Sequence, residues 1–284
     1  MDPLVDPAWV ARQLEQPPTV RTLIILDATL PPVGVTPPVD VRARYLAEHL
    51  PGALFFDIDQ LSDPAAALPH MLPTADSFAR SMSALGVSDA SPIVVYEQSG
   101  VFSAPRARWM LRVFGAREVY LLHGGLEAWR AAGLPLASGD VPHPPARFHA
   151  KLDSSAVETF AGIERAIAAR AQILDARSAG RFHGTSPEPR PGLPSGHMPG
   201  SINIPFTELV DNLRLKSSAD LRRLFAARGV DLNRPITTSC GSGVTAAVLS
   251  LGLELAGAQH VRLYDGSWTE YAQQPHAIVA TSQN

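Results

Sequence analysis

A chain of 284 residues, 45 % hydrophobic and 18 % charged, can bury one large core or two small ones. Its net charge of −3 argues against a nucleic-acid or anionic-membrane surface, and its single cysteine excludes a disulfide framework and a multi-cysteine zinc site. The nine histidines show no HxH or HExxH spacing, and no apolar run reaches the roughly 18–20 residues of a membrane span.

The chain starts Met1-Asp-Pro-Leu-Val-Asp-Pro, with no apolar stretch behind a basic start. Neither a secretory signal nor a transit peptide is expected, and the cytoplasm is the default compartment. Leu23-Ile-Ile-Leu-Asp27-Ala28 reads as a short buried strand, followed by a proline-rich surface loop at 31–38. His49-Leu-Pro-Gly52 precedes a strand at 53–56, and helices are expected at 75–85, 104–114 and 126–132. Ser138-Gly-Asp-Val-Pro-His-Pro-Pro-Ala-Arg147 looks like an extended linker at the midpoint. It divides the chain into a domain at 1–140, a linker at 141–152 and a domain at 153–284.

In the second half, Ser155-x-x-Glu158 has the form of a capping box opening a helix at 156–170. Ile173-Leu-Asp175-Ala176 is the next strand, and 187–199 is a second proline-rich surface loop. His197-Met-Pro-Gly200 precedes a strand at 201–204. An apolar stripe of Leu221, Leu224 and Phe225 marks a helix at 219–228. Residues 235–238 end a buried strand, and an Ala/Leu-rich helix begins at Val244.

The halves repeat each other. Each has a strand ending in Asp-Ala, with His-x-Pro-Gly 22 residues after the Asp. Towards their ends, Gly115-Ala116 and Val119–Gly124 match Gly257-Ala258 and Val261–Gly266 at a constant offset of 142. Strands alternating with helices imply an α/β architecture, each half a mostly parallel sheet covered by helices on both faces. Ligands of such sheets bind beyond the carboxyl ends of the strands.

Cys240 lies at that edge, in Ser239-Cys240-Gly241-Ser242-Gly243-Val244-Thr245. Backbone N–H groups and the dipole of the following helix favour an anion there, the setting of a nucleophilic thiolate. The 142 offset carries Cys240 back to Gln98, so the first half is expected to be catalytically silent.

Two α/β halves, His-x-Pro-Gly in each and a cysteine only in the second loop resemble the tandem rhodanese-like sulfurtransferases over nearly the whole chain. Cys240-Gly-Ser-Gly-Val-Thr245 is most similar to the loop of the 3-mercaptopyruvate sulfurtransferase branch. Relatives that use thiosulfate usually carry basic residues where Gly241 and Ser242 stand. The resemblance implies an enzyme that moves sulfur from 3-mercaptopyruvate through a Cys240 persulfide, releasing pyruvate. The acceptor would be a thiol, such as thioredoxin or a small thiol, or cyanide, and no metal or organic cofactor is implied. Arg181 and Arg190, in Arg181-Phe-His-Gly-Thr-Ser-Pro-Glu-Pro-Arg190, correspond to the substrate-binding arginines, and a guanidinium suits a carboxylate. Gly241, Gly243, Val244 and Thr245 would supply loop N–H groups to the substrate. Asp59, His70 and Ser242 are assigned to a hydrogen-bonded proton relay, which would put the active site at the domain interface. Phe102 and His183 stand where relatives can carry tyrosine and arginine.

The rivals are thiosulfate:cyanide sulfurtransfer by the same cysteine and a non-catalytic module that binds a sulfur carrier or another partner. A cysteine phosphatase is a weaker rival, because Ala246 stands where a C-x5-R loop needs arginine.

Overall fold

The computed structural model describes residues 2–16, 22–32, 34–35 and 37–281. Positions 33 and 36 of the expected loop at 31–38 lie outside the described residues. The chain forms two compact units. The first comprises Met1–Pro64, Leu72–Asp153 and Asn212–Arg214, and the second comprises Ala65–Met71, Ser154–Asp211 and Leu215–Asn284.

The first unit is built from β1 (Leu4–Val5), α1 (Pro7–Leu14), β2 (Ile24–Asp27), α2 (Val41–Ala47) and β3 (Leu54–Phe55). There follow α3 (Ala75–Leu85), β4 (Ile93–Tyr96), α4 (Ala104–Val113), β5 (Val119–Leu122) and α5 (Gly125–Ala131). The sheet order is β1-β5-β4-β2-β3, and every pair is parallel. All four residues of β2 and of β4 are buried, as a parallel sheet covered on both faces requires. Val10 of α1 and Leu126 and Trp129 of α5 pack with Ile25, Val94, Tyr96, Tyr120 and Leu122. Helix α3 has the bounds expected from sequence: Thr74 caps it through Ser77 N–H, and Gly86 ends it in the left-handed region at φ 86°.

The proline-rich segment after residue 140 is extended and lies along the first unit. Ser83 accepts from the N–H groups of Ala146 and Phe148, through its carbonyl and hydroxyl respectively. Phe148 meets Phe78 edge-on at 5.5 Å, and Phe78 stacks on Phe114 at 4.3 Å.

The second unit contains β6 (Val157–Glu158), α6 (Phe160–Ala168), β7 (Gln172–Asp175), α7 (Ala179–Phe182), β8 (Ile202–Asn203) and β9 (Val210–Asp211). Next come β10 (Arg214–Leu215), whose first residue clusters with the first unit, α8 (Ser218–Ala227), β11 (Ile236–Ser239), α9 (Ala246–Ala256), β12 (Val261–Tyr264) and α10 (Ser267–Tyr271). The parallel sheet runs β6-β12-β11-β7-β8, the order of the first unit repeated, and β9 and β10 form a separate two-stranded ribbon. The expected capping box does not form. Glu158 pairs with Tyr264 as an edge strand, and Thr159 caps α6 through Gly162 N–H. Sheet pairing outweighs a local capping preference here, because β12 offers an open edge to Val157 and Glu158.

Candidate active site

The loop from 240 to 245 joins the carboxyl end of β11 to α9. Cys240 is the first residue past the strand and is buried, as are Ser242, Gly243 and Val244. Gly243 turns the chain at φ 77°, a conformation that favours glycine. Among the described residues, no acceptor faces the N–H groups of Gly241, Ser242, Val244 or Thr245. Thr245 opens α9 without a side-chain cap. The 11-residue helix α9 is therefore preceded by unspent loop donors, an arrangement that attracts an anion.

Two other donors of the loop are already committed. Cys240 N–H and Gly243 N–H both donate to Ser267 Oγ, each at 3.1 Å, and that hydroxyl donates to Tyr264 O at 2.8 Å. Trp268 N–H and Thr269 N–H then donate to the carbonyls of Cys240 and Gly241 at 2.9 and 3.0 Å. Ser267 is buried and held at φ 49°, a costly region for a residue with a Cβ. Its counterpart at the 142 offset is Gly125, at φ 57°. Both units turn in the left-handed region at this position, and the serine adds a hydroxyl that holds the backbone at Cys240 and Gly243. Sequence reading missed it, because neither periodicity nor spacing distinguishes a left-handed serine.

The basic residues converge on Gly241. A Cβ built there would lie 2.9 Å from Arg181 Nη2 and 3.9 Å from Arg190 Nη1. Glycine keeps this space open, and both guanidiniums stand beside the residue that follows the thiol. Arg181, in the last turn of α7, donates to Glu188 Oε2 through Nε at 3.1 Å and Nη2 at 2.5 Å. Glu188 Oε1 accepts from Arg177 Nη1 at 2.8 Å. Arg177 is fully buried and holds Asp175 through Nε (3.0 and 3.1 Å) and Nη2 (2.6 Å). Its Nη2 also donates to Gly196 O at 2.7 Å, and its guanidinium lies 4.2 Å over the Trp268 ring. The Asp and Glu neighbours hold the Arg177 guanidinium further above its ordinary range despite burial. Arg177 and Glu188 were also missed from sequence. An arginine directly after the Asp-Ala of a buried strand, and an acid between two prolines beside two arginines, were the available signals.

His70 is buried at φ 62°, in the segment Ala65–Met71 that belongs to the second unit. Its Nδ1 lies 3.0 Å from Ser242 Oγ. The structure thus brings together Cys240, Ser242, His70, Arg181 and Arg190, with Gly241, Gly243, Val244 and Thr245 forming the loop between them. Asp59 is an exposed residue of the first unit, its N–H donating to Asp57 Oδ1 at 3.1 Å.

The equivalent loop of the first unit differs by one residue. Asp27 pairs with Tyr96 in one sheet and Asp175 with Ser239 in the other, so the residue after the strand is Glu97 in one and Cys240 in the other. Residues 97–103 link β4 to α4, whereas only 240–245 link β11 to α9. The expected counterpart Gln98 is correct when counted back from the helix and one residue late when counted from the strand. The Glu97 carboxylate accepts from the N–H groups of Phe102, Ser103 and Ala104 at 2.7–3.2 Å and from Ser103 Oγ at 3.2 Å. Burial nevertheless pushes its carboxyl up to about 7.

Residues 6–132 and 162–274 each match the family model of the rhodanese-like domain. The 3-mercaptopyruvate sulfurtransferase of Rattus norvegicus is 47 % identical over 284 residues, covering 97 % of this chain and 94 % of the rat protein. That of Escherichia coli strain K12 is 44 % identical over 264 residues, covering 93 % of this chain and 92 % of the bacterial protein. The crystal structure of SseA from Escherichia coli, described as a 3-mercaptopyruvate sulfotransferase with the rhodanese fold, superposes with a TM-score of 0.86 at 41 % identity. It covers 94 % of this chain and 99 % of that one.

Proposed function

The chain belongs to the rhodanese family, with two of its domains in tandem, and we propose that it is a sulfurtransferase that takes sulfur from 3-mercaptopyruvate and releases pyruvate. The observation that carries this reading is the convergence of Arg181 and Arg190 on Gly241, next to the only thiol of the chain. A 2-oxo acid offers a carboxylate and a carbonyl to those guanidiniums, and its C3 sulfur then comes to the thiol.

The Cys240 thiolate attacks the sulfur of 3-mercaptopyruvate. An S–S bond forms, the C–S bond breaks, and its electron pair passes to carbon as the enolate of pyruvate. The proton carried by the substrate sulfur ends on that carbon, so Cys–S⁻ and mercaptopyruvate become Cys–S–S⁻ and pyruvate. Ser242, hydrogen-bonded to His70, is the group that moves the proton. Asp59 enters the relay through the family pattern, as the carboxylate that would orient His70. An acceptor then takes the outer sulfur: a thiol becomes a persulfide, or cyanide becomes thiocyanate, and the Cys240 thiolate is restored. Thioredoxin or small thiols are the proposed thiol acceptors. The scheme uses no metal or organic cofactor. The cytoplasm, where free thiols persist, is the proposed compartment, and no helix among the described residues is long and apolar enough to cross a membrane.

Glu97 supports both the persulfide and the silence of the first unit. It stands at the strand-register position of Cys240, and its carboxyl oxygens reach forward from that position as acceptors at the N-terminus of α4. A Cys240 persulfide would reach similarly towards the N–H groups of Val244 and Thr245, which have no acceptor among the described residues. In the first unit that cradle is filled by the protein itself.

Incubation with 3-mercaptopyruvate should release pyruvate and add one sulfur, about 32 Da by mass spectrometry, to the intact chain but not to Cys240→Ser. Pyruvate release by Cys240→Ser would refute the nucleophile. Absence of both products from the unaltered protein would return it to the non-catalytic reading.

A further inference from the structure

We propose that Glu188 is a specificity-determining residue, a fixed negative charge that makes the site prefer monoanionic over dianionic sulfur donors. The inference rests on the sulfurtransfer reading given above.

Glu188 bridges Arg177 and Arg181. One oxygen accepts from Arg177 and the other from Arg181, and only 2 % of its side chain is exposed. Arg177 has no route to a ligand: its side chain is fully buried, committed to Asp175 and to Gly196 O, and covered by Trp268. Asp175 compensates Arg177, so Glu188 is left to compensate Arg181. The chain Asp175–Arg177–Glu188–Arg181 therefore sums to zero charge. Arg181 still presents donors beside Gly241, with Nη2 2.9 Å from where a Cβ would stand. It offers directed hydrogen bonds without net positive charge.

Donor charge decides who benefits. 3-Mercaptopyruvate is largely a monoanion near neutral pH, because a thiol titrates near 8.5. Thiosulfate is a dianion. A buried carboxylate one guanidinium away repels the dianion about twice as strongly as the monoanion. Gly241 and Ser242 bring no positive charge beside the thiol to favour a dianion. Glu188 acts in the same direction by subtracting charge from an arginine that is present.

The test is Glu188→Gln, which keeps the shape and removes the charge. Pyruvate release from 3-mercaptopyruvate and thiocyanate formation from thiosulfate with cyanide are followed side by side. The ratio of kcat/KM for thiosulfate to that for mercaptopyruvate should rise about tenfold, and the thiosulfate rate should become more salt-sensitive. Glu188→Asp, which restores the charge, should return the ratio towards that of the unaltered protein. Equal losses on both donors, unrelieved in Glu188→Asp, would overturn the proposal and leave Glu188 a structural residue. If Glu188→Gln does not fold, the unaltered protein still decides. Oxalate, a dianion, should inhibit no more tightly than pyruvate, and an oxalate inhibition constant more than about tenfold tighter would overturn the inference. Failure of the unaltered protein to transfer sulfur from either donor would instead overturn the sulfurtransferase reading.

Discussion

Glu97→Gln tests the balance between burial and hydrogen bonding inside the first unit. The carboxyl is wholly buried and titrates near 7, against 4.5 for an ordinary glutamate, because desolvation outweighs the donors of Phe102, Ser103 and Ala104. A raised carboxyl favours the folded state while protonated. That stabilisation is complete below about pH 4.5 and is lost as the pH rises through about 7. A difference of about 2.5 units at about 1.36 kcal/mol each is on the order of 3 kcal/mol. The amide imitates the protonated acid: its oxygen can keep the N–H donors, and its NH₂ can donate to Ser103 Oγ. Urea unfolding of both proteins between pH 4.5 and 8.5 measures the difference. Trp9, Trp109 and Trp129 all lie in the first unit, so tryptophan fluorescence reports mainly on it. The unaltered protein should lose on the order of 3 kcal/mol relative to Glu97→Gln across that range, mostly between about pH 4.5 and 7, with little further change above it. A difference independent of pH, or a loss on going to acid, would show that the helix N-terminus and its donors win over desolvation.

Other perturbations address the second unit. Ser267→Ala leaves the N–H groups of Cys240 and Gly243 without their acceptor. It should cost about 2 kcal/mol of stability and at least about tenfold in kcat/KM, read by calorimetry and pyruvate release. Gly241→Ala places a methyl against the end of the flexible Arg181 side chain, so the fold should persist while KM for mercaptopyruvate rises about tenfold. Unchanged KM would mean that Arg181 yields without loss. Arg177→Met strands the buried Asp175 carboxylate and leaves Glu188 with Arg181 alone, and should destabilise the second unit by about 3–5 kcal/mol in thermal unfolding.

The parallel α/β architecture was legible because strands and helices alternate twice with the same punctuation. Helix α3 is legible to the residue, since Thr74 starts it and Gly86 stops it, both acting locally. Ser155-x-x-Glu158 misled because an edge strand depends on a partner, Tyr264, more than a hundred residues away. The 142 offset leads to Gln98 because a constant offset cannot say where a one-residue difference in loop length falls. Strand register can. Cys240, Arg181 and Arg190 stand out in the sequence by type and motif, whereas Ser267, Arg177 and Glu188 are distinguished by backbone angle and burial, which only the folded chain displays.

His70 reaches Ser242 from a heptapeptide, Ala65–Met71, that is read out in the first half of the chain but belongs to the second compact unit. The duplication visible in the sequence is therefore not a seam along which the protein can be divided. A truncated protein beginning at Ser154 would carry the thiol, its loop and both arginines, yet leave the histidine behind. A chimaera that exchanges C-terminal halves between two relatives would pair one parent's serine with the other parent's histidine. Inheritance in this molecule runs by halves, but its working parts are assembled across them.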